Sequence, residues 1–138
     1  MTPIFPGQIA EDGRLTKGKA IIFPNLFPYS KHNGVVVFSE QHYVRLNEFS
    51  LSVIKDAFSL AQTYILKVIA TDSKANYASI NWNYLPESGG SILHPHLHII
   101  CSESPTNVQV SIDEKAKSFQ MKTGKHIFLN YTSKKNPR

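Results

Sequence analysis

The chain has a single cysteine, Cys101, among its 138 residues. A lone thiol excludes an internal disulfide framework and an ordinary Cys-x-x-Cys zinc site, and it points to a reducing, cytoplasmic setting. Long apolar runs are missing too: nothing approaches the roughly 18 residues of a membrane span. The opening MTPIFPGQIAEDG lacks the basic and apolar regions of a secretory signal. There is no internal repeat and no low-complexity linker. A length of 138 residues then predicts one domain over 1–138, with a loop over 1–18 and a basic tail over 132–138.

What is present argues against disorder. Apolar residues make up 41% of the chain, with eight Phe and six Tyr, which is enough for a core. The net charge is +5, but seven of the fifteen basic residues lie between Lys115 and Arg138. The excess therefore reads as a solvated tail rather than a nucleic-acid surface.

Periodicity and turn signals predict an α+β domain, an antiparallel sheet with a long helix packed across it. Lys19 to Phe23 is a strand stopped by Pro24. The segment 24–34 is a loop closed by Asn33-Gly34, and 35–39 is a β-branched strand. A helix begins at an Asn47 cap, with Leu46 and Leu51 as a hydrophobic staple. Ile54, Ala57, Phe58, Ala61, Ile65 and Val68 form its apolar stripe, and Asp72-Ser73 ends it. Tyr77 to Trp82 and His94 to Ser102 are further strands. A second helix over 112–122 is signalled by Ser111 with Glu114 and by Gly124 beyond its end. The segment 126–131 fits either element. His32 reads as a loop residue.

The chemistry concentrates in 89-GGSILHPHLHII-100. Three of the six histidines stand at two-residue spacing, His94, His96 and His98, and a strand places such residues on one face. Pro95 cannot donate to a ladder, so the strand should begin there or lie at an edge. Several readings fit three aligned imidazoles: metal ligation, a nucleophile toward phosphorus, general acid–base catalysis, or a plain solvent-facing stripe. The residues ahead of the run favour a phosphate. Gly89 and Gly90 let backbone approach a ligand closely, Ser91 offers a hydroxyl, and Asn83 an amide.

The run His94-Pro95-His96-Leu97-His98-Ile99-Ile100 resembles the histidine triad motif. With Asn83, Gly89, Ser91 and the His-Pro-His, it is similar to the active-site block of galactose-1-phosphate uridylyltransferases. Phe23-Pro24-Asn25-Leu26-Phe27 resembles that family's nucleotide-binding stretch, and 35–50 resembles its strand, histidine and helix entry. The likeness covers most of 19–100. It implies a histidine-triad-like fold and a nucleotidyltransferase that moves a nucleoside monophosphate between a nucleotide sugar and a sugar 1-phosphate. By resemblance His96 is the nucleophile, His94 supports it, Asn83 and Ser91 meet the phosphates, and Asn25 and Phe27 meet the nucleotide. Self-association as a homodimer is expected on the same ground.

The departures from the family pattern are specific. His98 stands where the transferases have Gln, as in nucleotide-hydrolysing triad proteins, so hydrolysis is the alternative activity. Leu26 stands where many members have Asp. The family's zinc uses an upstream Cys pair, absent here; His42 and His94 match its other ligands, and no complete zinc site is expected. The transferases are built from two related halves, so the chain resembles one half. A non-catalytic nucleotide-binding module or an inactive fragment is the remaining alternative.

Overall fold

Strand β5, His96–Ser102, is an interior strand of the sheet. It pairs antiparallel with β3, His32–Val37, on one side and with β4, Tyr77–Asn81, on the other. Beyond β3 lie β2, Ala20–Pro24, and β1, Leu15–Lys17, giving the order β1-β2-β3-β5-β4. This computed structural model describes residues 4–90 and 92–127. They fall in two compact units, Met1–Ser104 and Pro105–Arg138.

The two faces of the sheet differ as the period of two requires. Leu97, Ile99 and Cys101 of β5, with Val36 of β3 and Ile22 of β2, are fully buried. They form one core with Ala57, Leu60, Ala61, Tyr64 and Val68 of helix α1, Leu51–Thr71. The same cluster contains Phe38, and Phe49 and Trp82 pack on it with tilted and edge-on ring contacts. Burial raises the Cys101 thiol to about 11, which makes it an inert core residue. The opposite face of β5 carries His96, His98 and Ile100.

Several expectations need correction. Residues 15–17, read as loop, form β1; Gly18, with φ +55, turns the chain back into β2, and a Cβ there would fall on the Asp56 carboxylate. Asn33-Gly34 is not a turn but part of β3, opposite Ile100 and Ile99. Gly34 is needed for close packing, since a Cβ would sit 2.8 Å from Ile22 Cδ1 and 3.3 Å from Tyr64. His32 starts β3, and its Nε2 lies 2.9 Å from Asp72 Oδ2 at the end of α1; Lys31 Nζ reaches the same oxygen at 2.7 Å. These two bonds, Lys31 first, hold the Asp72 carboxyl well below the usual carboxylate range.

The start of α1 is also shifted. Leu46–Glu48 forms a separate 3-10 turn, and Ser50 is the cap, its Oγ accepting from Val53 N at 3.3 Å. Leu46 and Leu51 are 63% and 65% exposed and make no staple. The apolar stripe is rotated toward Leu60 and Tyr64, leaving Ile54, Phe58 and Ile65 partly buried. In the second unit, helix α2 spans Asn107–Thr123. Thr106 caps it in a reciprocal pair with Gln109, so Ser111 and Glu114 lie inside the helix. Gly124 ends it in the left-handed region, φ 66, as expected. The tail over 132–138 and most of 126–131 lie outside the described residues.

The cap assignment has a direct check. Ser50→Ala should lower unfolding stability by about 1 kcal/mol, while Asn47→Ala should stay within about 0.5 kcal/mol. Urea unfolding of the two variants measures the difference.

Candidate active site

His96 and His98 leave β5 on one face, two residues apart, with ring centroids 5.0 Å from each other. His94 does not join them. The strand begins at His96, one residue after Pro95, as expected from the missing proline N–H, but in the sheet interior rather than at an edge. The Pro95 carbonyl accepts from Phe38 N at 3.2 Å. His94 precedes the strand, and its ring packs edge-on against His42 with centroids 4.9 Å apart.

Hydrogen bonds set the tautomers. The carbonyl oxygen of His94 lies 2.7 Å from His96 Nδ1. A carbonyl only accepts, so Nδ1 carries the proton and the Nε2 lone pair is free. His96 is 8% exposed, and no described residue bonds to that Nε2. His94 Nε2 likewise donates to the Ser39 carbonyl at 2.7 Å, which leaves His94 Nδ1 to accept from His42 Nδ1 at 3.1 Å.

His98 takes the opposite form. Its Nδ1 is buried without a partner among the described residues. We assign the proton to Nε2, which leaves a lone pair rather than an N–H bare at the buried Nδ1. Burial first, then the neighbouring His96, lowers the His98 pKa below its ordinary value and keeps the ring neutral. The two imidazoles therefore present an acceptor nitrogen and a donor N–H within one site.

A cavity of about 260 Å³ lies over them, lined by Tyr29, Asn81, Asn83, Gly89, Gly90, His96, His98 and Ile100. Asn83, Gly89 and Gly90 are thus brought to the histidines, as the sequence suggested. The glycine amides are not free for a phosphate, however. Gly89 N donates to Pro86 O at 2.9 Å and Gly90 N to Leu85 O at 3.0 Å. Gly90 serves a tight loop: a Cβ would meet the carbonyl oxygens of Asn83 and Leu85, each at 2.9 Å. Leu85 itself is held at φ 67, ψ 166, a region that costs a non-glycine residue about 1–3 kcal/mol. Ser91 lies outside the described residues.

Asn25 and Phe27 do not line the cavity. The Asn25 side chain donates to Asn33 Oδ1 at 2.9 Å and accepts from Phe27 N at 3.1 Å, so it shapes the loop over 25–31. Phe27 is exposed on that loop. Sequence reasoning missed Tyr29, Asn81 and Ile100. Asn81 faces the site because it pairs with His98 across β4 and β5; its place in the Tyr77–Trp82 alternation was visible, but not its partner. Tyr29 stands edge-on to His98 with centroids 5.9 Å apart, and no sequence signal marks it.

His42 and His94 offer two nitrogens, half of what a structural zinc takes. Among the described residues, no group of three or more His, Cys, Asp and Glu side chains could hold a metal ion. The residues present do not fit a zinc centre. No helix among the described residues is long and apolar enough to cross a membrane.

No family model matches the chain. An uncharacterized protein of Archaeoglobus fulgidus is 38% identical over 117 residues, which is 85% of this chain and 34% of that protein. The chain thus spans about a third of the length of this relative. Among solved structures, an ADP-glucose phosphorylase from Arabidopsis thaliana with bound ADP-glucose superposes with TM-score 0.68 at 18% identity, over 89% of this chain and 48% of the other. A GalT-like protein from Arabidopsis thaliana gives 0.65 at 21%, over 78% and 40%. A HIT family protein from Bacillus anthracis gives 0.57 at 15%, over 66% and 64%. The chain has the histidine-triad-like α+β fold these proteins share.

The depressed His98 pKa has a pH consequence. The unfolded chain binds a proton near the ordinary histidine value of about 6.5, and the folded chain only at lower pH. Stability is therefore full above about 6.5 and falls as pH drops from there through the folded pKa. His98→Gln should lose less melting temperature than the wild type between pH 7 and pH 5, read by thermal scans across that window.

Proposed function

We propose that the chain transfers a nucleoside monophosphate between a nucleotide sugar and a sugar 1-phosphate, through a covalent nucleotidyl-histidine on His96. The observation that carries this reading is the His96 tautomer. Its Nδ1–H is committed to the His94 carbonyl, so the Nε2 lone pair is held ready at the cavity. Two of the structural neighbours, the GalT-like protein and the ADP-glucose phosphorylase with bound ADP-glucose, and the His-Pro-His block support the same substrate class.

The chemistry balances without a cofactor. The Nε2 lone pair attacks the α-phosphorus, and a P–N bond forms as the bond to the bridging oxygen breaks. The sugar 1-phosphate leaves with that electron pair. Positive charge on the imidazole ring is stabilised by the Nδ1–H bond to the carbonyl. His98 Nε2–H is a neutral donor for a phosphoryl oxygen, and the Asn83 amide is a second. An oxygen of the incoming sugar 1-phosphate then attacks phosphorus, and the pair of the P–N bond returns to Nε2.

Hydrolysis of the same intermediate by water is the second reading, favoured by His98 in the place where the transferases have Gln. A labelled nucleotide sugar should leave a nucleoside monophosphate on His96 that is acid-labile and base-stable. His96→Gly should lower this labelling at least about a thousandfold. Added sugar 1-phosphate should accelerate turnover; a rate indifferent to that acceptor favours hydrolysis. Nucleotide binding with no adduct at all would leave a binding module.

The site is proposed to work without a resident metal. The purified chain should carry well below one zinc per protomer, and chelator should leave its melting temperature unchanged. Elemental analysis after dialysis checks this, and near-stoichiometric zinc or iron would move His94 from support to ligand.

A further inference from the structure

We propose that Asn33 is a positioning residue, which ties the loop over 25–31 to β5 and so holds the Tyr29 ring against His98 as one wall of the cavity. The part of this inference that concerns nucleotide handling rests on the transfer reading above; the part that concerns Tyr29 does not.

Asn33 is 4% exposed and polar, and it stands on β3 opposite Ile100. A buried amide is tolerated only where its hydrogen bonds are made. Its Oδ1 accepts from Asn25 Nδ2 at 2.9 Å and from Tyr29 N at 3.1 Å, one group from the start of the loop and one from near its end. Its Nδ2 donates to the Ile99 carbonyl at 2.8 Å, beside His98 in β5. Its backbone oxygen accepts from Asn25 N at 2.8 Å. One side chain thus fastens both arms of the loop to the strand that carries the histidines.

Tyr29 gains its place through this anchor. It is 75% exposed, so burial does not hold it. Its ring meets the His98 ring edge-on, and it lines the cavity with His96. The hydrogen bond from Tyr29 N to Asn33 Oδ1 is the restraint on the Tyr29 backbone itself, and the neighbouring Ser30 Oγ separately donates to the Cys101 carbonyl of β5 at 3.1 Å. Without the bond to Asn33, the Tyr29 backbone loses its own restraint and the ring gains freedom, and ordering it on a ligand would then cost more entropy at the moment of binding.

The first measurement needs no activity. In the wild type, the Tyr29 amide should exchange with solvent at least about tenfold more slowly than an unprotected loop amide, and Asn33→Ala should remove that protection. Tyr29→Ala and Asn33→Ala should shift the His98 ring resonances in the same direction, and the double variant should add nothing. Asn33→Asp keeps an oxygen that accepts from Tyr29 N but cannot donate to the Ile99 carbonyl, so it should untie the loop from β5 and shift the His98 ring resonances in the same direction; it serves if the alanine variant does not fold. In turnover of the nucleotide sugar, Tyr29→Ala and Asn33→Ala should each raise KM about tenfold, mainly without loss of kcat, and the double variant should be no worse than either. An unprotected Tyr29 amide in the wild type, or additive losses in the double variant, would overturn the proposal. A wild type that never labels His96 would sink the transfer reading, while the exchange and resonance data would still decide the role of Asn33.

Discussion

A single hydrogen bond organises the site: His96 Nδ1–H to the carbonyl of His94, at 2.7 Å. It joins two residues separated by Pro95, whose missing N–H keeps the strand from starting earlier. Because the His94 backbone supplies that acceptor, the Nε2 of His96 keeps its lone pair. His98, two residues on, has its Nδ1 buried and its proton on the other nitrogen. Neighbouring rings on one strand face thus acquire opposite forms from their surroundings alone, one offering a lone pair and one an N–H.

Around that bond the fold acts mainly as a holder. The register Val37 to His96 and Val35 to His98 places both rings over β3, and the register Asn81 to His98 brings a side-chain amide from the other neighbouring strand. The core beneath, from Leu97 and Ile99 to Leu60 and Tyr64 of α1, leaves β5 little freedom to shift. Loops close the cavity from above: the turn over 85–90 through its internal bonds, and the loop over 25–31 through Asn33.

Elements with a local cause were legible in the sequence. The shared face of His96 and His98, the proline before the strand and the helix-terminating Gly124 all act within a few residues, and the structure agrees with each. Features that depend on partners far along the chain were not legible. Asn33 was read as a turn residue because Asn-Gly is a strong turn signal; its actual role needs Ile99, 66 positions away. Tyr29 and Asn81 become site residues only through pairing with His98. His94 was placed on the common face by its period of two, but its ring goes to His42 and Ser39. Ser50 took the cap from Asn47 because a separate 3-10 turn intervenes.

The opposed protonation of the two imidazoles is open to nitrogen-15 NMR of the histidine rings at neutral pH. His96 should carry its proton on Nδ1 with a bare Nε2, and His98 should carry its proton on Nε2 with a bare Nδ1. A His96 protonated on Nε2, or both rings sharing one tautomer, would contradict it.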